Sequence, residues 1–135
     1  MVAYSFKGRF EPRIQARTKQ QTIRAVGRKR HTRPGERMTL TTGDRFHPRL
    51  IGEAVCQSVV PIQMDLAVGS VMLDTAFAHP PRLITAVADL DAFAVLDGFD
   101  DWADLVAFWK QTHPTAHHSF AGLCISWGDT FKVAS

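Results

Sequence analysis

Lys19, Thr22 and Arg24, within the stretch TKQQTIR, place an amine, a hydroxyl and a guanidinium six residues or fewer apart. A threonine hydroxyl is a poor nucleophile at neutral pH. It needs a nearby base, and a lysine can serve when burial or a neighbouring cation lowers its pKa toward about 7 to 8. Arg24 is such a neighbour, because alternate side chains of a strand share a face and Thr22 and Arg24 are two apart. Its planar fork equally suits an oxyanion or a phosphate. The same spacing also describes three ordinary residues on the wet face of a sheet, so the elements around them carry the decision.

Those elements begin with AYSF, whose alternation opens a first strand, and FEPRIQAR, where Pro12 sits early in a short helix with Phe10 and Ile14 on one face. QQTIR is predicted as a short strand with Ile23 inward, and Lys19 lies in the bend before it. A basic loop ends in the turn signal Pro34-Gly35, and RMTLTT then forms a strand closed by Gly43-Asp44. IGEAVCQSVVPIQMD predicts a long strand broken at Pro61, which cannot donate to a ladder. From Asp89 the period changes to that of a helix: Leu90, Phe93, Ala94 and Asp97 fall on one stripe, ended by Gly98. A second helix, capped by Asp100 or Asp101, carries Trp102, Leu105, Val106 and Trp109 as core and stops near Pro114. SFAGLCISW is a closing strand and GDTFKVAS a short tail. This order predicts an α+β fold or a small barrel.

A chain of 135 residues with this composition is expected to form a single domain over residues 1–135. Uninterrupted apolar runs reach only five residues, as at Leu105 to Trp109, against the roughly 20 that span a bilayer. The start MVAYSFKGRF lacks a secretory apolar region, so a cytoplasmic protein without a membrane partner is expected. Cys56 and Cys124 each lie in an apolar segment and are expected to be buried free thiols. No Cys/His spacing suits zinc, so neither metal nor cofactor is expected. His117 and His118, being adjacent, are expected on a loop or strand edge rather than around one ion. Charge is divided unevenly: residues 1–50 hold thirteen Lys/Arg and three acids, a balance of +10, and residues 51–135 hold three and ten, a balance of −7. A basic face of this kind is the footprint of a polyanion such as RNA or DNA, and also of a merely dipolar surface. Arg28, Lys29, Arg30, Arg33 and Arg37 form either a phosphate clamp or a solvated loop.

In order along most of the chain, SFKGRFEPRIQARTKQQTIR, RPGERMTL, IGEAVCQSVVPI and LDAFAVLDGFDDWADLVAFWKQTHP resemble an ASCH domain of the PUA-like superfamily. The family signature Gly-x-Lys-x-x-(Thr or Glu)-x-Arg is matched at Lys19, Thr22 and Arg24, with Arg17 in the glycine position. DGF at Asp97 to Phe99 is similar to the family's carboxylate-Gly-Phe element, with Asp where Glu is usual. The resemblance implies a small PUA-like β-barrel with two or three helices packed around it. It also implies a cleft lined by Lys19, Thr22, Arg24 and Asp97. Some members are similar to a small bacterial amidohydrolase that deacetylates N4-acetylcytidine with a Lys, a Thr and a Glu; others are associated with RNA binding or nuclease activity. RNA or a modified nucleoside is therefore the expected ligand, contacted by Arg24, Arg17, Arg28, Lys29, Arg30 and Arg33. An amidohydrolase or ribonuclease with Lys19 as base, Thr22 as nucleophile and Asp97 either orienting Lys19 or exchanging a proton with the leaving amine is the enzymatic alternative. A regulatory interaction domain with a vestigial cleft is the third.

Overall fold

The structure, a computed structural model, describes residues 1–74, 81–114 and 119–134; His117 and His118 lie outside them. Val2–Phe6 (β1) leads through a 3-10 turn at Gly8–Phe10 into Glu11–Gln15 (α1), and Gln21–Arg24 (β2) follows. Arg37–Gly43 (β3) and Pro48–Val55 (β4) make a hairpin, and Ser58–Asp65 (β5), Ser70–Leu73 (β6) and Arg82–Ile84 (β7) a meander. Val87–Leu96 (α2) and Trp102–Thr112 (α3) precede Ser119–Ser126 (β8) and Lys132–Val133 (β9).

The strands form two sheets, in the orders β1-β3-β4-β9 and β2-β8-β5-β6-β7, with β1 parallel to β3 and the other pairs antiparallel. The fold is thus α+β and β-rich, with three α-helices among the described residues, and the two ladders do not join into one closed ring. The chain crosses between the sheets at Cys56 and Gln57. Cys56 still exchanges backbone bonds with Glu36 and Gly35 on the first sheet's side, while the amide of Gln57 already donates to Ser126 of the second.

This corner corrects the expected break at Pro61, which instead lies within β5. Pro61 pairs with Leu123 of β8, and the pairing of β5 with β6 begins only at Ile62, so the missing N–H falls just before that ladder starts. The tail also gains structure, since β9 pairs with β4 at Gly52 and Glu53.

One apolar cluster fills the space between the sheets and under the helices. Alternation in β1 turns Tyr4 and Phe6 inward, β3 contributes Met38 and Leu40, and β5 Ile62 and Met64. The helical stripes add Leu90, Phe93 and Ala94 from α2, with Leu105 and Trp109 from α3; Trp102 is half-buried against them. Asp101 caps α3 by accepting from the amide of Asp104, and Asp91 of α2 accepts from Trp102 N at 2.9 Å. Cys56 and Cys124 are buried free thiols.

Candidate functional site

Two helix ends deliver the central pair of charges. α1 closes with Arg17 N bonded to Ile14 O and Thr18 N bonded to Arg13 O, with Arg17 in the left-handed region at φ 67°. These are the two bonds of a Schellman termination. α2 closes the same way: Gly98, at φ 95°, bonds to Val95 O, and Phe99 N to Ala94 O. Lys19 leaves the first turn and Asp97 caps the second. The turns are stitched together by Gln20 N to Leu96 O at 2.8 Å and by Arg13, which donates to Gly98 O at 2.8 Å and to Asp100 at 2.6 Å. A Cβ on Gly98 would lie 2.7 Å from Lys19 Cδ and 2.9 Å from a Phe10 ring carbon, so the lysine stem passes where only glycine leaves room.

Lys19 Nζ donates to Gln21 O at 2.7 Å and Asp97 O at 2.5 Å, and stands 3.6 Å from Asp97 Oδ1. The rings of Phe6 and Phe10 lie 5.3 and 5.0 Å from the ammonium. Both charged groups are almost wholly buried, and Asp97 Oδ1 has no hydrogen-bond partner among the described residues. Beside them Thr22, also buried, accepts from Arg24 Nε at 3.0 Å. Arg24 donates onward to Ser5 O at 2.8 Å, bridging the facing edges of β2 and β1, and its guanidinium stacks over Tyr4 and Phe6. The fold thus brings Lys19, Thr22, Arg24 and Asp97 together as lining of one cavity of about 230 Å³.

Burial pushes the Lys19 ammonium down to about 8; the Asp97 carboxylate opposes that shift and Arg24 adds to it. Burial pushes the Asp97 carboxyl up to about 6, against the pull of Lys19 and Arg24. The two shifts run toward each other and bring both groups closer to neutralisation near pH 7 than either would be in water. Burial also lowers the Arg24 guanidinium, which nevertheless stays a permanent cation.

The remaining basic residues divide. Lys29 and Arg30 line a groove that shares Arg24 and Ala25 with the cavity. Arg30 is held in a two-pronged pair with Glu36, both distances 2.8 Å, and that pairing keeps the Glu36 carboxyl down at about 2. Arg28 and Arg33 are exposed on the same loop and line neither space. Arg17 is not a cavity residue. Its guanidinium turns to the backbone before β9, donating to Asp129 O at 3.2 Å and Phe131 O at 2.5 Å.

Sequence reasoning did not anticipate the aromatic wall. Phe10, Phe99 and Phe108 meet edge to face or tilted with centroids 5.3 to 5.4 Å apart, and Arg9 lies over all three while pairing with Asp104 at 2.6 Å. Trp109, expected as core, is buried and also lines the cavity, with His113 stacked on it at 4.1 Å. Phe108 and His113 gave a signal of a kind, lying one and four residues either side of Trp109 at the carboxyl end of α3. Comparison with protein families, with curated proteins and with solved structures returns no match for this chain.

Proposed function

We propose that the chain is an ASCH-type domain of PUA-like architecture that takes one base of an RNA strand, or a free modified nucleoside, into this cleft. The observation that carries the reading is the buried Lys19–Asp97 pair beside the Thr22–Arg24 pair in a cavity walled by aromatic rings. Its volume of about 230 Å³ falls below the ~300 to 1,000 Å³ of pockets for larger organic ligands, which suits one planar ring system rather than a stretch of polymer. Phenylalanine and tryptophan faces stack on a base of any identity, and a carboxylate, a hydroxyl and a guanidinium read its edge. The adjoining groove, where Lys29 is the cation not already held in an ion pair, offers a path for the strand's phosphates.

A second reading, the small amidohydrolase, draws on the lowered pKa of Lys19 and on a Thr22 hydroxyl oriented by Arg24. Against it, Lys19 Nζ is engaged with two carbonyls and makes no hydrogen bond to Thr22 among the described residues. The purified protein, incubated with N4-acetylcytidine and with labelled single-stranded RNA, separates the two. The binding reading expects retention of ligand with neither deacetylation nor strand cleavage. Turnover that is lost in Thr22→Ala and partly kept in Thr22→Ser establishes the enzyme instead.

A further inference from the structure

His113 ends α3 at the cavity, and its hydrogen bonds determine which ring nitrogen carries the proton. Thr112 Oγ1 lies 2.8 Å from Phe108 O. Two oxygens that close need a proton between them, and a carbonyl has none, so the single hydroxyl proton of Thr112 points to Phe108. The same Oγ1 lies 2.8 Å from His113 Nδ1. With its proton already committed, the hydroxyl accepts there, and the ring must carry its hydrogen on Nδ1. Neutral imidazole then presents a lone pair on Nε2, for which no partner exists among the described residues.

The ring is fixed as well as polarised. It stacks on Trp109 with 19° between planes and meets Phe120 at 6.3 Å. His113 is exposed as a residue, and the partial burial of its ring moves its pKa downward, favouring the neutral imidazole. The charged groups that share its cavity are Lys7 from the turn after β1, Lys19, Arg24 from β2 and Asp97 from the end of α2.

Building on the base-binding reading above, we propose that His113 is a specificity-determining ligand contact whose Nε2 accepts an N–H from the edge of the bound base. Together with the Asp97 carboxylate, which lines the same cavity, it gives the cleft two acceptors. The ligand class that fits is therefore a heterocycle bearing N–H donors, and rings substituted so that the N–H is replaced by N-methyl are disfavoured.

Nitrogen-15 NMR of the ligand-free protein at pH 7.5 reads the tautomer directly, and the expected result is a protonated Nδ1 and a bare Nε2. In parallel, single-stranded RNA oligonucleotides of mixed sequence are titrated into wild type, His113→Gln and His113→Phe at the same pH. Gln keeps an acceptor near the Nε2 position; Phe keeps only the stack. Affinity is expected to stay within about twofold for Gln and to fall about fivefold for Phe, the factor of one neutral hydrogen bond. Equal affinities for wild type and Phe, or a proton found on Nε2, overturn the role of His113 and leave the base-binding reading standing. Failure of the wild type to bind any oligonucleotide or the free nucleosides, N4-acetylcytidine included, with Nδ1 protonated, overturns the base-binding reading and the ligand contact with it, while the tautomer assignment survives.

Discussion

At the level of single residues, the site holds two charges where the interior disfavours both. The folded-state pKa of Lys19 lies below its ordinary 10.5, so the native protein sheds that proton before the unfolded chain does, and stability rises as pH climbs from about 8 toward 10.5. For Asp97 the folded value lies above the ordinary 3.8, and stability rises as pH falls from about 6 toward 3.8. The pair thus contributes least between the two values, around neutrality. The double substitution Lys19→Met with Asp97→Leu should raise the melting temperature most at pH 7 and less at pH 5 and pH 9, as expected where a buried pair gives way to apolar groups. Thermal melts of both proteins across that range check this; a gain that grows away from pH 7 contradicts it. Arg17 makes a separate case. A non-glycine residue at φ 67° carries roughly 1 kcal/mol of strain, offset here by its two hydrogen bonds to carbonyls. Arg17→Ala removes those bonds and keeps the strain, whereas Arg17→Gly removes both. Chemical denaturation should find the Gly variant more stable than the Ala variant by about 1 kcal/mol.

At the level of elements, function rests on how two short helices end. Gly98 has both a left-handed φ of 95° and a close approach to the Lys19 stem, while Gly69 has a φ of 83° with no neighbour nearer than 3.7 Å. Alanine at either position should cost on the order of 1 kcal/mol of backbone strain. Only Gly98→Ala should also displace Lys19 and weaken ligand binding, so equal binding by the two variants would separate the glycine from the site. The end of α2 and the presence of α1 were legible in the sequence. The stripe from Leu90 to Asp97 followed by glycine gives the end of α2, and Pro12 with Phe10 and Ile14 gives α1. What was not legible depends on neighbours distant along the chain. Whether Pro61 breaks a strand turns on where β6 begins to pair, and the two-residue β9 exists only because β4 receives it. Arginine's low preference for the left-handed region hid the turn at Arg17, although the signature's glycine position coincides with it. The acceptor on His113 follows from a proton two bonds away and has no trace in spacing.

At the level of the whole molecule, the basic first third and the acidic remainder meet at the cleft, where Lys19 and Arg24 face Asp97. Among the loop cations Arg30 is already paired with Glu36, while Arg28, Lys29, Arg33 and Arg37 have no ion-pair partner among the described residues; of these, Lys29 lines the groove and Arg28 precedes it in the chain. Reversing the charges of Arg28 and Lys29 should lower RNA affinity and reduce the slope of log affinity against log salt by about 0.7 for each phosphate that is no longer neutralised. Unchanged affinity and slope would remove the loop from the interface.

The central claim is that a base, and not only the backbone, enters the cleft between β2 and the helices. Binding of a single-stranded RNA is compared with that of a strand of equal length and charge whose residues are abasic, in one salt concentration. Phosphate interactions are the same in both, so any difference belongs to the bases. With base stacking worth about 1 to 3 kcal/mol, the intact strand should bind about tenfold more tightly, and Arg24→Ala should narrow that gap. Equal affinity for the two strands would contradict the account and reduce the interaction to charge alone.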